Sequence, residues 1–135
     1  MPSSEGEQLV TLEQLIFLHI VVIVEFGGLS GLRDRGLAES ALAWPLAGFG
    51  GESIFSTPFE RAAALMEALI RNHPFVDGNK RVAVMAAAFW LEQEGFGLEV
   101  DQDELVDVTL NVVTHAIGVE ELAVWLKSHS APPKI

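Results

Sequence analysis

Nine consecutive residues, His73 to Arg81 (HPFVDGNKR), gather an imidazole, a carboxylate, an amide and two cations in one short stretch. His73 is the group able to take a proton near neutral pH. Asp77 is a hard oxygen ligand of the kind a nucleotide-bound Mg2+ takes; it could equally pair with Lys80 or Arg81, or cap a helix. Gly78 lets an anion approach the backbone closely. Asn79 can cap a helix or donate to a phosphate oxygen. Lys80 and Arg81 add charge, and Arg81 can grip an oxyanion with two parallel hydrogen bonds. Phe75 has the bulk to anchor the loop, and Pro74 stiffens it. Three of the eight Lys and Arg residues fall between positions 71 and 81, a basic knot in a chain of net charge −11. Such a knot suits one small anionic ligand, although helix-end charges would look the same. The chemistry that needs a base, a metal ligand and an anion cradle together is phosphoryl or nucleotidyl transfer.

Helices must position these groups. Thr11 and Gln14 form a capping box with Val10 and Leu15 placed as a hydrophobic staple, so a helix is expected over Leu12 to Phe26, stopped by Gly27-Gly28. It is apolar all round, which predicts a place in the middle of the domain. A glycine-rich loop (GLSGLRDRG) leads to a short helix from Leu37 to Trp44, ended by Pro45. Residues 45–57 read as an irregular flap with a short extended piece at Ile54-Phe55-Ser56. Thr57-Pro58-Phe59-Glu60 is a strong helix start, and that helix ends near Asn72 because Pro74 disfavours helical geometry at His73. A second long helix is expected from Asn79 to Glu94, with Gly95 as its stop. Two more follow, Leu105 to Ile117 behind an Asp101/Glu104 cap, and Val119 to Lys127 after Gly118. An anion placed at the start of the helix after the loop would meet unpaired N–H groups and the positive end of a dipole.

The expected fold class is therefore all-α: a single domain over residues 1–135, about six helices, the motif loop between two central ones, and flexible ends at 1–10 and 128–135. Half of the 135 residues are apolar and a fifth charged, as in a globular domain. There is no cysteine, so the chain has no disulfide, thiolate-bound zinc or thiol nucleophile. The acidic balance argues against broad nucleic-acid or anionic-membrane binding. The start MPSSEGEQ lacks a signal-peptide pattern, and the apolar run Leu15 to Val24 is interrupted by His19 and shorter than the roughly 20 residues of a bilayer span. A cytoplasmic location is expected. The acidic cluster from Glu92 to Asp107 reads as a solvated surface. The P-loop, HExxH and GxSxG patterns are absent from the sequence. His19 and His115 are expected to be helix residues with structural or surface roles.

HPFVDGNKR resembles the HPFx[D/E]GNxR motif of the Fic family, and the whole chain is similar to its death-on-curing (Doc) branch. GLRDRGLAESALAWP (residues 31–45) and FERAAALMEALIRNHPF fit that branch too, and the likeness runs from about Thr11 to Phe96. The resemblance implies a compact helical fold with Mg2+ and ATP as cofactor and substrate. His73 would be the general base that activates a target hydroxyl, and Asp77 would hold Mg2+. Gly78, Asn79, Lys80 and Arg81 would cradle phosphates, with Phe75 as the loop anchor. The sequence departs from adenylylating members at Lys80, where they have Gly, and at Val84, where they carry a second Arg. Both departures match the Doc branch, whose activity is phosphorylation of elongation factor Tu, which halts translation; the γ-phosphate then faces the base. Doc toxins are neutralised by a small antitoxin protein. Self-restraining Fic proteins carry an [ST]xxxE[GN] helix; here Ser56 to Glu60 fits its first part, but Arg61 follows. Two other readings stay open: AMP transfer at the same site, and a non-catalytic nucleotide-binding module, which would need neither His73 nor Asp77.

Overall fold

A computed structural model describes residues 8–132 of the chain. Its helices begin where side chains can satisfy the free N–H groups of a first turn. The Thr11 hydroxyl accepts from the Gln14 N–H at 3.1 Å and the Gln14 side chain accepts from the Thr11 N–H at 2.9 Å, opening α1 (Leu12–Phe26). Asp34 caps α2 (Arg35–Ala43), which passes into a single 3-10 turn at Trp44–Leu46. Thr57 and Glu60 form the same reciprocal box at the start of α3 (Pro58–Asn72), as do Asp101 and Glu104 at α5 (Gln102–Val113). Helix α4 spans Asn79–Gln93 and α6 Val119–Ser128. The described residues thus form six α-helices with little sheet, the expected all-α class.

The expected place of α1 in the middle of the domain is corrected. Helix α3 touches α2, α4, α5 and α6, whereas α1 touches chiefly α4 and, more lightly, α2. Its consecutive Ala62, Ala63 and Ala64 are all fully buried. Successive helical residues point about 100° apart, so three small side chains in a row let neighbours approach on several sides. Helix α1 instead buries one row, Leu15, Leu18, His19 and Val22, against α4. Phe17, Ile20 and Val24 face outward, 63%, 50% and 81% exposed. An apolar circumference alone therefore overstated its burial. No helix among the described residues is long and apolar enough to cross a membrane.

Three local expectations are corrected. The flap is a β-hairpin, Gly48–Phe49 (β1) against Glu52–Ser53 (β2), rather than an extended piece at 54–56. Gly50 and Gly51 both have positive φ (59° and 85°), the conformation a tight two-residue hairpin turn needs. Helix α5 stops at Val113, four residues short of Ile117; His115 takes φ 62° and the Ala116 N–H returns to the Asn111 carbonyl at 2.8 Å. The tail also enters the fold. Ser130–Ala131 (β4) pairs antiparallel with Gly97–Leu98 (β3), and at the other end Leu9 and Val10 are buried in the core. Of the ends expected to be flexible, residues 1–7 and 133–135 lie outside the described residues.

Candidate active site

The nine-residue stretch sits where α3 stops and α4 begins, two helices packed on each other in the core. His73 ends α3 in the left-handed region, φ 53° and ψ 54°, with its N–H still bonded to the Leu69 carbonyl. This conformation costs an L-residue roughly 1–2 kcal/mol and needs support. Arg33 supplies it. Its guanidinium donates to the His73 carbonyl at 2.6 and 2.9 Å and to the Asn72 carbonyl at 3.1 Å, placing a cation on the negative end of α3. The backbone around Arg33 runs against the motif as well. The Arg33 and Asp34 N–H groups donate to the Pro74 carbonyl, the Val76 N–H donates to Gly31, and Leu32 bridges Phe75. With its backbone pinned, His73 presents an exposed imidazole that has no hydrogen-bond partner among the described residues.

Phe75, the expected loop anchor, is 1% exposed and belongs to the core. Asn79 corrects an expectation. It is buried (3%), and its side chain does not cap α4. The amide oxygen accepts from the Phe75 N–H and the amide nitrogen donates to the Phe75 carbonyl, both at 2.9 Å. What Asn79 offers a ligand is therefore its backbone N–H. His19, expected to be a structural or surface residue, reaches the site from α1. Its ring stacks on Phe75 at 3.8 Å and 7°, and Nε2 lies 2.7 Å from the Asp77 carbonyl. A carbonyl only accepts, so Nε2 carries the hydrogen.

Asp77 is exposed, and one carboxylate oxygen accepts from the Leu29 N–H at 2.9 Å. The other has no partner among the described residues. No group of three or more His, Asp or Glu side chains able to hold a metal occurs among them either. A lone carboxylate with a free oxygen beside an anion site fits Mg2+, which prefers one or two carboxylates plus phosphates and waters to an all-protein cage. Gly78 follows at φ 76°, and a Cβ there would lie 3.2 Å from Val22 and 3.5 Å from the His19 ring nitrogen. Helix α4 starts without a side-chain cap, and the N–H groups of Asn79, Lys80 and Arg81 have no partner among the described residues. These residues, with His73 and Asp77, line a cavity of about 270 Å3. Sites that enclose a whole drug-sized ligand measure roughly 300–1,000 Å3, so this one suits the phosphates of a nucleotide rather than all of it.

The basic knot divides. Lys80 is exposed at the cavity, whereas Arg71 turns away to His115 and the Val112 carbonyl. Arg81 lines the cavity while its guanidinium lies 3.9 Å over the Phe26 ring and donates to Gln102 at 3.0 Å. Only one of its five N–H groups is used in that bond. Val84 forms part of an adjoining apolar cavity of about 220 Å3, next to Arg81, Phe26 and Met85. The residues missed by sequence reasoning are thus Arg33 and His19. Arg33 lies inside GLRDRG, and His19 breaks an otherwise apolar buried row; each carried that much signal.

Comparison with known proteins agrees with this geometry. Over 110 residues the chain is 36% identical to "Toxin Doc" of Mycolicibacterium smegmatis, covering 80% of this chain and 85% of that protein. It is also 36% identical over 115 residues to "Protein kinase doc" of Escherichia phage P1, covering 85% and 90% respectively. The family model described as Fic/DOC matches residues 9–91, which hold the hairpin, the braced loop and the open end of α4, and the chain belongs to the Fic/DOC family.

Proposed function

We propose that this protein is a Doc-type toxin that transfers the γ-phosphate of ATP to a Ser or Thr hydroxyl of a translation factor, with elongation factor Tu as the expected target. The observation that carries the reading is the exposed His73 imidazole on the same cavity as the Asp77 carboxylate and the uncapped start of α4. The names of the two relatives support the choice of a toxin and of phosphate as the group moved. Lys80 and Val84 support it too. A side chain longer than glycine fills the phosphate cradle, and the wall one turn further along α4 is apolar where a second guanidinium would bind a further phosphate.

In this reading the target hydroxyl gives its proton to His73 as its oxygen bonds the γ-phosphorus. The bond from that phosphorus to the β–γ bridging oxygen breaks, and ADP leaves with the electron pair. Lys80, Arg81 and the N–H groups of Asn79 and Lys80 hold the phosphate oxygens and meet the charge that shifts onto the leaving group. Asp77 would hold Mg2+, which when bound supplies charge neutralisation at the phosphates. The self-restraining [ST]xxxE[GN] pattern is broken by Arg61, so restraint is expected from a second chain, a small antitoxin protein.

The test is transfer from ATP labelled at either the α- or the γ-phosphate, with purified elongation factor Tu and with lysate as acceptors. Label from γ alone supports the kinase. Label from α alone indicates AMP transfer, and ATP binding without either points to a binding module. His73→Ala should abolish transfer; normal transfer by that variant would remove the base assignment.

A further inference from the structure

We propose that His19 is the positioning residue for Asp77, setting from α1 the direction in which its metal-binding carboxylate points. This rests on the reading of Asp77 as the Mg2+ ligand. Asp77 is gripped at two points by one continuous segment, residues 19–29. From inside, His19 Nε2 donates to its carbonyl at 2.7 Å; from outside, the Leu29 N–H donates to one carboxylate oxygen at 2.9 Å. The first bond fixes the peptide and the second the side-chain torsion, which leaves a single free oxygen on a defined side.

His19 is itself held rigidly. It is 2% exposed and lies flat on Phe75, a ring already locked into the core and tied to Asn79 through its backbone. It also closes the space over Gly78, where a Cβ would come within 3.5 Å of Nε2. One imidazole therefore meets Phe75 and Asp77 and closes the space beside Gly78, the residue before α4. An apolar side chain would fill the same space; only a donor can orient the Asp77 peptide. That separates positioning from packing.

Two variants divide the roles. His19→Phe keeps a flat ring on Phe75 and removes the donor; His19→Gln keeps a donor at similar reach and removes the stacking. The Mg2+ concentration for half-maximal ATP binding, read by calorimetry, should rise about tenfold in His19→Phe, with His19→Gln restoring most of it. ATP binding without metal should change less than twofold. Independently of any nucleotide, hydrogen exchange at the Leu29 amide should speed by about tenfold in His19→Phe while amides in the middle of α3 keep their protection. Unchanged Leu29 exchange in a folded His19→Phe protein would overturn the proposal. So would equal loss of metal response in the Phe and Gln variants, since packing alone would then explain both. If the wild type binds ATP without any Mg2+ dependence, the metal reading of Asp77 fails, and the Leu29 amide still decides whether His19 orients it.

Discussion

The Asn79 side chain and the Phe75 backbone are joined by two hydrogen bonds, one in each direction, both 2.9 Å long and both buried. The pair closes the five residues from Phe75 to Asn79 into a ring on which Asp77 is exposed. An amide is the one side chain of that length that offers an acceptor and a donor together. Asn79→Ala should leave two backbone groups unpaired and lower unfolding free energy by at least about 2 kcal/mol. Asn79→Asp should do no better, because a carboxylate would face the Phe75 carbonyl. Urea unfolding of both variants measures this, and a loss within the ±0.5 kcal/mol typical of neutral surface changes would show that the ring is not structural.

His73 is expected to trade stability for chemistry. Glycine relieves about 1–2 kcal/mol of left-handed strain at this position and costs about 0.5–1 kcal/mol in chain entropy. His73→Gly should thus be at least as stable as the wild type and about 1 kcal/mol more stable than His73→Ala, with both variants inactive. Equal stability of the Gly and Ala variants in urea would mean that the position carries no strain.

Arg33 should matter through its fork of donors rather than its charge alone. Three hydrogen bonds to two carbonyls, those of Asn72 and His73, need a planar guanidinium. Arg33→Ala is expected to cost about 1–2 kcal/mol and to lower phosphate transfer at a temperature where the protein remains folded. Arg33→Lys should recover less than half of each loss; full recovery would leave only the helix-dipole contribution.

Glu60 gives the fold an acid-sensitive element. Hydrogen bonds from the Ser56 N–H at 3.1 Å and the Thr57 N–H at 3.2 Å, with a weaker one from the Ser56 hydroxyl, hold its carboxyl below the usual 4.5. A carboxyl lowered on folding contributes stability that is fully present above pH 4.5 and is lost as the pH falls through the lower folded value. The stability gap between wild type and Glu60→Gln should therefore shrink on acidification from pH 6 to about 3, followed by urea midpoints. A gap that stays constant over that range would contradict it.

Much of the molecule was legible without coordinates because its signals are local. The Thr11/Gln14 and Thr57/Glu60 boxes and the glycine after Phe26 place helix ends through bonds between residues three or four apart. The motif was legible for a similar reason. His73, Asp77 and the start of α4 lie within one loop, so their spacing already implied a shared site.

Tertiary structure decided what those residues do with one another. By type Asn79 could cap a helix or meet an anion, and only the folded loop brings its side chain onto the Phe75 backbone. Arg33 lies 40 residues before His73, and His19 lies 58 before Asp77, separations at which no periodicity carries information. The place of α1 was decided the same way. Its composition allows burial on every side, but the alanines of α3 let the other helices pack more closely there, leaving Phe17 and Val24 outside. Composition and capping determine which segments become helices. Which helix lies at the centre, and which side chain holds the motif loop, depends on close packing between distant parts of the chain.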